Sequence, residues 1–387
     1  MQRIKFMESI VKELSIVIPC LNEEKTLPIV IKKAQNSVAR LEVDGEIIIS
    51  DNGSVDNSVE IASRLGVRVV HCAKRGYGNA LRCGFENANG KFLIMGDADD
   101  SYDFEKIDNF LKYLREGNEI VMGTRLRGRI EKGAMPFLHR YLGTPVLTFI
   151  INRLFGTKIS DCNCGMRGLT AEIFRKLKLE SSGMEFASEM LIKAGILRIK
   201  IKEIPIVLHK DRRGKSSHLH TWRDGWRHLK FILLYAPDFV FTWPASLFFL
   251  SGTALMALQV NGPFTWGNIY MGIHTMILGL TLSIFGISIF QMGSIIKIFS
   301  VQNDYYKNNK PMKWLKKITI ERGLIFGGII FFIGFFLDVA VLVKWAENDF
   351  KDIFMPQAVI FGLYFMLIGL FLAFFSFFLA IMKKKED

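Results

Sequence analysis

Asp97 and Asp99 stand either side of one alanine, and a short apolar run, Phe92–Gly96, leads into them. Two carboxylates one residue apart at a strand end can hold a divalent cation or its waters together with phosphate oxygens. Mg²⁺ is often bound this way, through one or two carboxylates plus substrate phosphates. A D-x-D pair alone is weak evidence, because acidic turns are common. Four further polar clusters strengthen it, each following an apolar run: Pro19-Cys20-Leu21-Asn22-Glu23-Glu24, Asp51-Asn52-Gly53-Ser54-Val55-Asp56, Lys74-Arg75-Gly76-Tyr77-Gly78-Asn79-Ala80 and Thr124-Arg125. Asp51 could accept hydrogen bonds from a base or ribose, and the Pro19–Glu23 loop could frame the same nucleoside.

The runs that carry these clusters are Leu14–Pro19, Glu46–Ser50, Val67–His71, Phe92–Gly96 and Ile120–Gly123. Helical stretches separate them, the pattern of a parallel sheet flanked by helices. Ligands of such sheets collect at the carboxyl ends of the strands. Three look-alike motifs fall away. Gly214-Lys215-Ser216 lacks the earlier glycine of a phosphate-binding P-loop, since His209 stands there. Leu81 occupies the third glycine position after Gly76-Tyr77-Gly78. Tyr102 replaces the glycine that a calcium loop needs after Asp97-Ala98-Asp99-Asp100-Ser101.

From Phe231 the chain changes character. Four segments, 239–258, 269–296, 324–343 and 356–382, are apolar and about 20 residues or longer, enough to cross a hydrocarbon core. The loop 301–322 carries Lys307, Lys310, Lys313, Lys316, Lys317 and Arg322, and the C-terminus carries Lys383, Lys384 and Lys385. The other two connections lack this excess, so the positive-inside rule predicts an integral membrane protein with its N-terminal domain, the 301–322 loop and the tail in the cytoplasm. Asp338 is expected to be interfacial or packed between helices. Leu219, Trp222, Trp226, Leu229 and Leu233 recur at helical spacing beside Arg223, Arg227 and Lys230, which predicts an amphipathic helix in the membrane surface over 215–235. The expected organisation is a catalytic domain over 1–214, this interfacial region, and a membrane domain over 236–387.

The 387 residues carry 50 Lys and Arg against 37 Asp and Glu, a net charge of +13. Most of the excess lies before residue 231. No nucleic-acid-binding module is recognisable, and phosphates of a donor and a lipid account for the charge. Met1–Ser15 has no apolar core of the signal-peptide kind. Five cysteines without zinc spacing predict reduced thiols rather than a disulfide scaffold. The seven histidines form no H-x-x-x-H pair. Glu185 and Glu189 share a helix face and could touch sugar hydroxyls or be salt-bridged.

Val17-Ile18-Pro19-Cys20-Leu21-Asn22-Glu23-Glu24, Asp51-Asn52-Gly53-Ser54-Val55-Asp56 and Asp97-Ala98-Asp99 resemble the successive motifs of GT-A glycosyltransferases of family 2. The resemblance is nearest to the polyprenyl-phosphate type, which includes dolichol-phosphate mannose synthases and GtrB-type glucosyltransferases, and it covers about residues 14–235. The four spans are also similar to those of archaeal-type dolichol-phosphate mannose synthases. It implies an α/β GT-A fold, a Rossmann-like and mostly parallel sheet with flanking helices, followed by an α-helical membrane domain. It implies that Pro19, Leu21 and Glu23 line a nucleoside site with Asp51 at the base or ribose. Asp97 and Asp99 would serve Mg²⁺ or Mn²⁺ and the donor diphosphate, and are catalytic on this view with Arg125. Arg125, Arg140 and Thr144 match positions that receive the acceptor phosphate, and Arg212, Arg213 and Lys215 match a basic loop that closes over the diphosphate. Two departures stand out. Ser101 replaces a common glutamine, so the metal shell could use Asp100 or water. The wording of Asp161–Arg167 and Gly183–Glu189 differs from the mannose synthases and leaves the sugar undecided.

The implied partners are a nucleotide sugar of the UDP-glucose or GDP-mannose type, a polyprenyl or dolichyl phosphate and membrane lipid, and a homo-oligomer is compatible with the sequence. The chemistry agrees with the residues. A lipid monophosphate, with a second pKa of about 6, is already an anion near neutrality. It needs positioning more than a general base, and arginine pairs phosphate bidentately. A single displacement with inversion is the outcome the resemblance implies. Two competing readings are a processive polysaccharide synthase and a lipid-carrier flippase or binding protein. Trp222–Arg227 does not match the Q/R-x-x-R-W motif usual in the first, and the intact acidic pair and basic loop oppose the second.

Overall fold

The computed structural model describes residues 12–212, 221–302, 318–351 and 356–383, without side chains at 221–224, 300–302 and 383. Arg213, Lys215, Leu219, the five loop lysines from Lys307 to Lys317 and Lys384 and Lys385 lie outside them. The chain divides into two compact units at Ile232 and Leu233.

Among the described residues of the first unit, seven strands form one sheet: β1 (Lys12–Cys20), β2 (Gly45–Asp51), β3 (Arg68–His71), β4 (Gly90–Met95), β5 (Ile120–Ile130), β6 (Arg167–Thr170) and β7 (Ile201–Leu208). Their spatial order is β3-β2-β1-β4-β6-β5-β7. β1 pairs parallel with β2 and β4, β2 with β3, and β5 with β7, whereas β6 runs antiparallel to both neighbours. The five expected strands are all present. β6 and β7 were not foreseen: β6 is four residues long and opens on an arginine, too little pattern to read. β5 continues seven residues past Gly123. Its second half is largely exposed and its register on β7 shifts between Thr124 and Arg129, so no apolar alternation marks it.

Helices cross over between the parallel strands: α1 (Leu27–Arg40), α2 (Ser58–Arg64), α3 (Tyr77–Glu86) and α4 (Asp108–Arg115); α5 (Thr144–Phe155), α6 (Ala171–Leu177) and α7 (Phe186–Ile196) follow. In α1, Leu27, Val30, Ile31 and Ala34 recur at the spacing of one helix face and are buried, and a proline in its first turn presets the backbone. Thr170 caps α6 by accepting from the Ile173 amide. Val17, Ile48, Leu93 and Met95 of the strands pack with Leu81 and Phe85 of α3 and Phe186 and Met190 of α7. Each such burial stabilises the fold by about 1.5–3 kcal/mol. The expectation of reduced thiols is only partly met. Cys72 and Cys83 form a disulfide with Cα atoms 6.0 Å apart, while Cys20, Cys162 and Cys164 are free and buried. Cys72 directly follows β3 and Cys83 lies in α3, so the two are neighbours only once α3 folds back on the sheet.

Helix α8 (Thr221–Leu234) spans most of the expected amphipathic segment, with Trp226 exposed and Ile232 buried. Among the described residues of the second unit, four helices are long and apolar enough to cross a membrane. Their helical bodies are α9 (Trp243–Ala257), α10 (Ile273–Gln302), α11 (Ile320–Glu347) and α12 (Pro356–Lys383). The second span starts four residues later than expected. A hairpin of β8 (Phe264–Trp266) and β9 (Ile269–Met271) takes up its apolar beginning.

Lipid tails are as apolar as leucine, so close packing and polar bonds must hold these helices together. Gly327 and Gly334 of α11 face the backbone of Gly369 and Gly362 of α12, and Gly252 of α9 faces Gly279 of α10. Thr253 of α9 shares hydrogen bonds with Ser283 of α10 (3.2 Å) and Tyr364 of α12 (2.8 Å). Gln291 donates to the Phe371 carbonyl at 2.9 Å, and Lys297 pairs with Asp238. Asp338 is packed between helices, its carboxylate against Gly362, and its Oδ1 is buried without a hydrogen-bond partner. A methyl group at Gly334 would collide with the Gly362 carbonyl. Gly334→Ala is therefore expected to destabilise the membrane unit by about 1–3 kcal/mol, read as an earlier melting transition of the purified chain in detergent, while Gly328→Ala, which meets nothing within 4 Å, leaves it unchanged.

Candidate functional site

Because β1 to β5 and β7 share one direction, their carboxyl ends meet at one edge of the sheet. The reversed β6 brings its amino end, and the loop Asp161–Met166 before it, to that same edge. All five polar clusters seen in the sequence therefore converge there, joined by Asp161–Met166 and by residues 209–212, which include Arg212 of the expected basic loop.

The first two loops are laced together. The Asn22 amide donates to Ser54 Oγ (3.0 Å), the Val55 amide to Asn22 Oδ1 (2.8 Å), the Glu23 amide to Ser58 Oγ (2.9 Å) and the Glu24 amide to Asp56 Oδ2 (3.1 Å). Asn22 adopts φ 60°, in the left-handed region that asparagine tolerates. Pro19 is buried in β1, Leu21 is exposed, and Glu23 is buried and accepts from the Thr26 hydroxyl at 3.3 Å. Asp51 is buried. Its carboxylate accepts from the amides of Ser54 (3.0 Å) and Gly53 (3.3 Å) and lies 3.2 Å from His71 Nδ1. Burial pushes this carboxyl upward, but hydrogen bonds from Ser54, His71 and Gly53 outweigh it and hold it below the ordinary value. Of the four residues expected around a nucleoside, Leu21 is the one that faces solvent most openly.

The acidic turn is held from several sides. Tyr77 donates to Asp97 Oδ1 at 2.8 Å. Ser101 donates its amide (3.0 Å) and hydroxyl (2.5 Å) to Asp99 Oδ1. The Arg212 amide donates to the Asp99 carbonyl at 3.3 Å, and its guanidinium lies 3.4 Å from Asp100. Asp100, the alternative shell residue, is already ion-paired. It is buried at φ 62° and its carboxylate is taken by Lys33, at 2.7 Å, and Arg212. Burial and the neighbouring Asp97 carboxylate push the Tyr77 phenol well above its ordinary value, so it keeps its proton and donates. Among the described residues, no group of three or more His, Cys, Asp and Glu could hold a metal. A cation at Asp97 and Asp99 would need phosphate oxygens or water to complete its shell. Gly165 suits it: a Cβ there would come within 2.9 Å of Asp97 Oδ2.

Arg125 has a commitment the sequence did not reveal. Its Nε and Nη2 donate to the two oxygens of Asp161, both at 2.7 Å, and its amide donates to the same carboxylate at 3.0 Å. Asp161 is fully buried. Burial would lower the arginine, but Tyr102 and Asp161 hold it well above its ordinary value and it stays charged. Thr144 is also buried, its hydroxyl accepting from Asn163 at 3.2 Å. Arg140 is exposed, with its guanidinium 5.3 Å from the Tyr141 ring. Arg125 and Thr144 thus brace the Asp161–Gly165 loop, while Arg140 faces solvent.

Arg167 is fully buried and donates to the carbonyls of Cys164 (2.9 Å), Cys162 (2.8 Å) and Ala187 (2.6 Å). Burial pushes the Cys162 thiol up to about 11 and the Cys164 thiol to about 12, which makes both inert as nucleophiles. Glu189 is buried and salt-bridged to Lys193 at 2.7 Å, and it accepts from the amides of Glu180 and Ser181. Of the two readings left open for it, the structural one holds. Asp161 and Tyr77 stand in stretches the sequence singled out, but their pairing with Arg125 and Asp97 had no signal there. Tyr77 carried one signal, a glycine on each side: Gly76 and Gly78 lie hard against the carbonyls of Ser182 and Ser181, where no side chain fits.

Comparison with known proteins agrees with this construction. The pattern of glycosyl transferase family 2 matches residues 15–178, and that of the glycosyltransferase family 2 C-terminal transmembrane region matches residues 294–383. The chain is 33% identical over 367 residues to the low-salt glycan biosynthesis hexosyltransferase Agl6 of Haloferax volcanii, covering 95% of this chain and 88% of that protein. It is 28% identical over 208 residues to the dolichyl-phosphate hexose transferase of the same organism, covering 53% and 86%. It is 29% identical over 250 residues to the dolichyl-phosphate β-glucosyltransferase of Mus musculus, covering 59% and 76%.

Removing one partner of a buried ion pair strands the other charge, which costs about 3–5 kcal/mol. Arg125→Ala is expected to lose that much stability in denaturant titration of the catalytic unit within the full chain. Adding Asp161→Asn should recover most of the loss, because no uncompensated charge then remains.

Proposed function

This chain belongs to glycosyl transferase family 2, and we propose that it moves a hexose from a nucleoside-diphosphate sugar to a polyprenyl or dolichyl phosphate at the cytoplasmic face of a membrane. The observation that carries the proposal is the match over nearly the whole chain to a hexosyltransferase, in a protein that joins the acidic strand-end site to four apolar helices. The names of the two dolichyl-phosphate relatives support the acceptor class.

In this reading the laced loops 20–24 and 51–56 frame the nucleoside, with Asp51 preset as an ionised acceptor. Asp97 and Asp99 would hold Mg²⁺ or Mn²⁺, which when bound neutralises the charge that develops on the leaving diphosphate. Arg212 flanks the same turn, and Arg213 and Lys215, outside the described residues, follow it in the chain. The acceptor phosphate is the nucleophile. Its oxygen bonds to the anomeric carbon as the bond to the diphosphate oxygen breaks, with inversion. Arg140 meets the incoming phosphate. Arg125, with two nitrogens holding Asp161, keeps Nη1 outside that pair for an acceptor oxygen.

Access to a lipid acceptor has a surface to work with. Phe137, Leu138, Tyr141, Leu142 and Phe149 are exposed around Arg140, Phe137 to 74%. Aromatic and aliphatic side chains beside a cation suit contact with the bilayer boundary, where the acceptor's head group lies.

The full chain in detergent, given UDP-glucose, GDP-mannose and other nucleotide sugars with a polyprenyl phosphate and Mn²⁺ or Mg²⁺, should yield a lipid-linked hexose with one of the donors. No product with any donor would overturn the proposal. Asp99→Ala should lower the rate by roughly 100-fold or more while the protein remains folded in membranes, and equal product from the variant would remove the cation role.

A further inference from the structure

Asp99 takes its hydroxyl partner from its own turn, Ser101, two residues away. Asp97 takes its partner from a different element twenty residues upstream, the first residue of α3. That residue, Tyr77, is fixed independently of Asp97. The amides of Gly78 and Asn79 donate to the Ser182 carbonyl at 3.0 and 3.3 Å. The Gly76 amide donates to Asn52 Oδ1 at 2.6 Å, and Asn52 Nδ2 donates to the Lys74 carbonyl at 2.8 Å. The tyrosine ring packs against the core that contains Phe186 and Met190, and the Cys72–Cys83 disulfide closes the segment on both sides of it. The hydroxyl is thus delivered to Asp97 from a braced position. On the other side of the carboxylate, Gly165 stands where a Cβ would approach Oδ2 to 2.9 Å, and its amide donates to Tyr102 at 2.9 Å.

We propose that Tyr77 is a positioning residue for the acidic turn: its hydroxyl, 2.8 Å from Asp97 Oδ1, sets the carboxylate in the orientation in which it takes a divalent cation. The inference rests on the reading of Asp97 and Asp99 as cation-binding. A carboxylate that accepts a fixed hydrogen bond on one oxygen cannot swing freely about its side-chain bonds, so less ordering remains for the cation to impose. Outer partners of this kind typically carry about 10- to 100-fold in metal affinity. Asn52 also links this segment to the loop that holds Asp51, which places the expected nucleoside and cation positions on one braced frame.

Tyr77→Phe removes one oxygen and keeps the ring. The full chain in detergent is first titrated with UDP and with GDP in chelator, and the tighter of the two is carried forward. Mn²⁺ is then titrated with that nucleotide present, the free ion being read by its electron paramagnetic resonance signal. The expected result is Mn²⁺ affinity about 10- to 100-fold lower in the variant, with nucleotide affinity in chelator and the melting temperature unchanged. Equal Mn²⁺ affinity in the two proteins would overturn the inference alone. So would a matching loss of nucleotide affinity in chelator, because Tyr77 would then merely hold the loop. A wild-type chain that takes up no Mn²⁺ would overturn the cation reading and this inference with it.

Discussion

A loop that leaves a parallel strand has no ladder to pair its backbone with, yet every strand of such a sheet releases its loop at the same edge. That constraint governs the catalytic unit. The loops at this edge satisfy their amides with side chains from one another: Asn22 and Ser54, Ser58 and Glu23, Asp56 and Glu24, Asn52 and Gly76, Glu189 and Ser181. The polar residues that mark the site in the sequence are therefore mostly scaffold, each occupied in holding a neighbour. Of the groups at this edge, Leu21, Arg140 and Arg212 stay exposed, and Asp97 and Asp99 are half-buried.

Buried charge does the same work deeper down. Arg167 carries three carbonyl bonds with no carboxylate beside it in the described hydrogen bonds, and Asp161 is enclosed by Arg125 and two backbone amides. Desolvating such groups costs several kcal/mol each, and good geometry with satisfied hydrogen bonds offsets it. The result is a loop, Asp161–Gly165, whose end sits close enough to Asp97 that a Cβ at Gly165 would come within 2.9 Å of its carboxylate.

The membrane unit solves a different problem. Its outward faces are crowded with Phe and Leu that water would not tolerate, and burying them in lipid requires no contact between helices. Helix association then depends on glycines that let backbones touch and on a few polar bonds, Thr253 with Tyr364 and Lys297 with Asp238 among them. Asp338 fits this pattern as a helix-packed carboxyl against Gly362.

Periodicity and punctuation made β1 to β5, the crossover helices and the four spans legible in the sequence, because one-sided burial repeats along a chain at fixed intervals. Short β6, the exposed half of β5 and the hairpin before α10 had no such repeat. The motifs pointed to the edge of the sheet and to the acidic pair, since residue type alone limits which groups can hold a cation or a phosphate. They could not show that Asp100 is spent on Lys33, that Arg125 is spent on Asp161, or that Tyr77 reaches Asp97. The sequence by itself determined which elements form and what chemistry their ends could carry. Which side chains are consumed in bracing and which are presented was decided by the tertiary structure alone, because hydrogen bonds between residues 20 to 70 positions apart depend on the register of strands that no local pattern records.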